Sequence, residues 1–74
     1  MSEQDTQVLS EVTGSVWKIE MSEGDLVAED DVIMILECMK MEIPVMAPAA
    51  GVIKSIQVAE SDNVNEDQVL AIIG

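Results

Sequence analysis

The chain repeats itself at an offset of 37 residues without a gap: Gly14 recurs as Gly51, Ile19 as Ile56, Glu23 as Glu60 and Asp25 as Asp62. Val8/Val45, Val27/Val64, Glu29/Glu66, Asp30/Asp67, Val32/Val69 and Ile35/Ile72 continue the match. Conservative mates such as Val16/Ile53, Met21/Val58, Ile33/Leu70 and Leu36/Ile73 fill the intervals. Self-similarity at fixed spacing is the mark of one structural unit used twice.

Each copy reads as strand, turn, strand, short strand, turn, strand. The first covers about Gln7–Glu11, Ser15–Met21, Leu26–Val27 and Val32–Cys38. The second covers about Met41–Ala47, Val52–Ala59, Val64 and Val69–Ile73. β-Branched residues dominate these segments, as strands prefer, and helical periodicity with caps is absent. The reading is all-β: two antiparallel sheets packed face to face about a pseudo-two-fold axis, a flattened β-barrel or sandwich. Gly14 and Gly51 fall at equivalent bends, where freedom to take positive φ is useful. Residues 1–6 lack an apolar pattern and read as a flexible N-terminal tail; 7–74 form one domain.

Between the copies lies Glu37-Cys38-Met39-Lys40-Met41-Glu42-Ile43-Pro44. The apolar run Val32–Leu36 leads in, and Ile43–Ala47 leads out, broken only by Pro44. Two strand-like runs around a short polar break make a β-hairpin. Lys40 falls at or beside its tip, a primary amine held toward solvent where another enzyme can reach it.

Glu37-Cys38-Met39-Lys40-Met41 resembles the Glu-Ala-Met-Lys-Met motif of the biotinyl/lipoyl attachment family, in its biotin carboxyl carrier branch. The resemblance runs from about Val8 to Ile73 and includes Ala47-Pro48 and Gly51. Cys38 departs from the small Ala or Ser usual in the family, and is itself small. The family commonly has a glycine where this chain has Asp30 and Asp67, which implies slightly strained turns there, since aspartate tolerates the left-handed region better than most residues. The gapless repeat leaves no room for the protruding "thumb" that some carriers insert in their first half.

The resemblance implies a covalent biotin on Lys40, attached by a biotin protein ligase. It implies a free-standing carrier shuttling an activated carboxyl group between biotin carboxylase and carboxyltransferase. The alternative cofactor is lipoate on the same lysine; lipoyl domains place Asp-Lys-Ala-like residues at the tip, which Met39-Lys40-Met41 opposes. A third reading, from another class, is an unmodified interaction module with this fold, in which Lys40 only guards a hairpin tip against aggregation.

Met39 and Met41 have two readings of equal standing: flexible thioethers that meet a ligase pocket or the biotin ring, or apolar filling at a strand end. Glu37 reads first as an exposed strand-end carboxylate and second as a ligase-recognition group. Cys38 reads as a small, partly buried strand residue; a reactive thiol needs electropositive surroundings, and Glu37 and Glu42 supply the opposite. Trp17, whose mate is Lys54, reads as surface-facing, either a docking contact or a stray apolar residue. Glu29-Asp30-Asp31 lacks the alternating ligand spacing of a calcium loop and reads as a solvated turn.

Composition narrows the function classes. Fifteen acidic residues stand against three lysines, a formal net charge of −12, with no histidine. Nucleic acid demands a basic footprint, and anionic membrane surfaces repel such a chain; a basic groove on a protein partner is the natural counterpart. Without histidine there is no Ser-His or Cys-His pair, and with one cysteine no metal set. Non-catalytic, metal-free and monomeric is the expectation. A polar, acidic N-terminus carries no signal peptide, and a lone thiol fits the cytoplasm.

Overall fold

A computed structural model describes residues 5–74. Eight strands follow in order: β1 (Thr6–Leu9), β2 (Gly14–Ile19), β3 (Leu26–Val27), β4 (Val32–Cys38), β5 (Met41–Met46), β6 (Gly51–Ile56), β7 (Asn63–Val64) and β8 (Val69–Ile73). They form two four-stranded sheets, β1-β8-β6-β3 and β5-β4-β2-β7, with antiparallel pairing throughout. Exchanging β1/β5, β2/β6, β3/β7 and β4/β8 turns one order into the other. The repeat is therefore a structural two-fold that swaps the sheets.

The irregularities repeat as well. A bulge at Trp17 interrupts β2 against β4, and one at Lys54 interrupts β6 against β8. Asp30 (φ 74°) and Asp67 (φ 69°) are both left-handed, as the turn chemistry predicts. Gly24 (φ 94°) is matched by Ser61 (φ 78°), which takes the same conformation with a side chain. Each half also clasps the other: the Ile19 N–H donates to a Glu60 carboxylate oxygen at 3.1 Å, and the Ile56 N–H to Glu23 at 2.9 Å.

The core is the sum of the two inner faces. Val16/Ile53, Ile33/Leu70, Met34/Ala71, Leu36/Ile73, Val27/Val64 and Val8/Val45 are all buried, mate for mate. A fully buried aliphatic side chain contributes roughly 1.5–3 kcal/mol, so this shared layer carries the stability of a chain with a single aromatic residue. Ser10 is the buried polar exception; its hydroxyl donates to the Val12 carbonyl at 2.6 Å.

Three expectations change. Gly14 and Gly51 open β2 and β6 without positive φ; among the described glycines only Gly24 has one. Space is the reason for these two glycines. A Cβ on Gly14 would collide with the Glu37 carbonyl oxygen, and one on Gly51 would lie 2.7 Å from the Ile73 Cγ2. Second, β2 and β6 stop at Ile19 and Ile56 rather than Met21 and Ala59. Beyond them the ladder gives way to single bonds: Glu20 and Met21 N–H both reach the Ile33 carbonyl, and Gln57 N–H reaches Leu70. Third, β1 runs from Thr6, opposite Ile73, to Leu9 rather than from Gln7 to Glu11, and Asp5 ion-pairs with Lys54 at 3.1 Å. The rest of the expected tail, residues 1–4, lies outside the described residues.

Candidate functional site

β4 and β5 form a two-residue hairpin. Cys38 pairs with Met41, Glu37 with Glu42, Leu36 with Ile43 and Ile35 with Pro44. Met39 (φ 53°) and Lys40 (φ 67°) make the turn. Positive φ at both central positions is the type I′ turn, whose twist matches the strands it joins and which favours Asn-Gly. Met and Lys there each cost on the order of 1–3 kcal/mol of backbone strain. Lys40 therefore occupies the outermost point of a stiff ribbon, where a better turn-former would be more stable.

The side chains follow from that turn. Lys40 is exposed. Met39 and Met41, at 87% and 59% exposure, stand out on either side of it rather than filling the core. Glu37 is exposed, and Cys38, paired with Met41 directly below the turn, is half-buried. Glu37 and Glu42 sit directly opposite each other, a like-charge pair that destabilises a sheet locally. The base is braced from beside: β2 begins flush against the end of β4, because Gly14 leaves no side chain between its backbone and the Glu37 carbonyl.

Next to the hairpin is an open hollow of ≈ 570 Å³, bordered by a set of polar side chains, Thr13, Ser15, Asn63, Glu37 and Lys40, and also by Gly14, Cys38 and Met39. Thr13 is tethered to the facing loop, its hydroxyl accepting the Glu66 N–H at 3.2 Å. Sequence reasoning missed this polar ring. A signal for it was present: the repeat mates of Thr13, Ser15 and Asn63 are Ala50, Val52 and Leu26, so polarity was added at the lysine end alone.

The remaining candidates resolve as follows. Trp17 faces outward at 50% exposure. The Asp31 carboxylate accepts the Ala28 N–H at 2.8 Å, a turn bond. Among the described residues no group of three or more His, Cys, Asp or Glu side chains could hold a metal ion. Nor is any helix long and apolar enough to cross a membrane.

The chain is similar to several known proteins. The biotin/lipoyl family, described as "Biotin-requiring enzyme", matches residues 6–73. The biotinylated protein TB7.3 homolog of Mycobacterium leprae is 50% identical over 40 residues, 54% of this chain and 56% of that protein. The biotin/lipoyl attachment protein of Bacillus subtilis is 40% identical over 37 residues, 50% of this chain and 51% of that protein. The chain thus matches little more than half the length of these relatives. The crystal structure of Kluyveromyces lactis urea carboxylase contains a region that superposes on all of this chain with a TM-score of 0.93 and 31% identity, over 6% of that enzyme. With a match spanning β1 to the end of β8, the chain belongs to the biotin/lipoyl family.

Proposed function

We propose that this chain is a biotin carrier, modified on the Lys40 Nζ and non-catalytic in itself. A biotin protein ligase forms the amide: the amine nitrogen bonds to the activated biotin acyl carbon, the activating group leaves, and the nitrogen gives up a proton. One of the three positive charges is lost. When bound, biotin supplies a ureido nitrogen that carries carboxylate from a biotin carboxylase to a carboxyltransferase. The chain's own part is mechanical. The strained two-residue turn keeps Lys40 clear of the sheets, and Met39 and Met41 give the partner enzymes an adaptable apolar collar. Tethering replaces free diffusion with a high effective concentration at each active site. We place the carrier as a single copy in the cytoplasm, where a lone thiol such as Cys38 stays reduced.

The observation that carries this reading is the placement of Lys40: an exposed amine at the tip of a type I′ hairpin, between two methionines, on the fold of a biotin-requiring family. The donor set fits the group, since an amide needs one reachable amine and no enclosing pocket. Lipoate on the same lysine uses the same fold, and Met39-Lys40-Met41 favours biotin over it. Intact mass after incubation with a biotin ligase, and separately with a lipoate ligase, decides. One biotinyl increment is expected, lost in Lys40→Arg. Label persisting in that variant would refute the site; a lipoyl increment alone would refute the cofactor.

A further inference from the structure

On the outer face of the β5-β4-β2-β7 sheet, the rung nearest the hairpin turn is polar from edge to edge. Glu42 stands opposite Glu37, Glu37 opposite Ser15, and Ser15 opposite Asn63. Their chain neighbours Leu36, Val16 and Val64 are buried in the core, and side chains alternate along a strand, so this rung faces outward. The repeat gives its counterpart on the other sheet: Asp5, Gly74, Val52 and Leu26, with Leu26 opposite Val52. Exposure does not account for the change. Leu26 stays apolar at 78% exposure where its mate Asn63 is an amide, and Val52 and Ser15 are both half-buried.

Three of these four residues, Glu37, Ser15 and Asn63, border the open hollow beside the hairpin, and Lys40 borders it with them. Its ≈ 570 Å³ is of the size that small-molecule sites have, roughly 300–1,000 Å³. Among the described residues neither the Ser15 hydroxyl nor the Asn63 carboxamide has a hydrogen-bond partner. Cys38 and Met39 add apolar, sulfur-bearing surface to the same border. The hollow thus combines groups that donate and accept, a carboxylate that only accepts, and an apolar side. Lys40 is the one cation on it.

We propose that this hollow is a resting site for the ring system of the biotin attached to Lys40. The inference rests on the carrier reading. The tether selects the occupant: the lysine that bears the group lies on the border itself, so the ring stays within reach at a high local concentration. A site too shallow to hold a free ligand is filled in that way. Hydrogen-bonding chemistry selects biotin over lipoate. A ureido group has one carbonyl that accepts and two N–H groups that donate. The Asn63 carboxamide and the Ser15 hydroxyl can donate to the carbonyl, and the Glu37 carboxylate can accept from an N–H. The sulfur ring then has Cys38 and Met39 for company. Lipoate's dithiolane ring has neither N–H nor carbonyl to offer. Amide formation also removes the Lys40 charge, so the group that enters is neutral.

NMR spectra of isotope-labelled protein before and after biotinylation, with the increment confirmed by intact mass, test this. Nuclear Overhauser contacts are expected between the ureido N–H protons and the Ser15 and Asn63 side chains. Exchange of those protons with water should slow about twofold at half occupancy, since only the unseated ring exchanges freely. Backbone signals of Ser15 and Asn63 should move on biotinylation and stay in place in Lys40→Gln, which removes the charge without supplying a ring. Ser15→Val combined with Asn63→Leu gives the rung the residues that the fold already carries at the equivalent positions, Val52 and Leu26. That double variant is expected to take biotin normally and to lose both the contacts and the slowed exchange. Signal changes confined to Cys38–Met41, ring contacts elsewhere on the surface, or contacts that survive the double variant overturn the proposal. Should the double variant fail to fold, the contacts in the unsubstituted protein decide alone. A protein that takes no biotin fails at the mass measurement and sinks the carrier reading with this inference; a biotinylated protein without the contacts sinks this inference only.

Discussion

In the β1-β8-β6-β3 sheet, Lys54 ion-pairs with Asp5; in the β5-β4-β2-β7 sheet, the equivalent positions hold a half-exposed Trp17 and a Glu42 with no ion pair among the described residues, and the lysine is the next residue, Lys18, opposite Ile35. The backbone beneath them is the same, down to the bulge. The inner faces are the same in kind too, with Ile33 and Leu70 both fully buried. The halves differ on their outer rows, at the end of the barrel that carries Lys40, and in core volume where fully buried Met34 has Ala71 as its mate. The buried layer that stabilises the chain is thus what the halves share, and the outer positions of Trp17 and Glu42 are where they part.

The two opening glycines should break that equivalence most sharply. Gly14→Ala pushes a Cβ into the Glu37 backbone, which cannot move without displacing the hairpin base. Overpacking of that kind costs about 3 kcal/mol. Gly51→Ala meets chiefly the Ile73 Cγ2, which can shift by rotation, and its cost is about 1 kcal/mol. Denaturant midpoints compare the two directly; equal losses would mean that the hairpin base is not held by this approach.

The clasping carboxylates should sharpen the equivalence instead. Glu60→Ala removes the acceptor for Ile19 N–H, and Glu23→Ala the acceptor for Ile56 N–H. Both are surface bonds, and each is expected to contribute about 1 kcal/mol or less. The same chemical unfolding curves read them. A difference between the two larger than their mean would show that the halves are not energetically alike where they are geometrically alike.

Much of this was legible in the sequence because the repeat is gapless and its β-branched positions coincide. Val32–Cys38 and Val69–Ile73 could be placed to the residue, and the left-handed turns at Asp30 and Asp67 followed from the glycine that the family resemblance puts there. Strand ends were less legible. β6 runs out at Ile56 although Val58 is still buried, because ladder bonding depends on a partner strand that local pattern does not contain. Gly14 was read as a bend residue, since its contact is with Glu37, distant in sequence. The ring of Thr13, Ser15 and Asn63 is assembled from three separate segments, and only the departure of each from its mate marked it. The tip itself could be located from Met39-Lys40-Met41, but its type I′ strain could not, because neither residue is one that such turns favour.

The most direct test of the central claim is the mass of this protein isolated from its native source, with the modified peptide sequenced. The account predicts one biotinyl group, on Lys40, with Lys18 and Lys54 unmodified. A lipoyl group, a label on another lysine, or a bare Lys40 in cells supplied with biotin would contradict it.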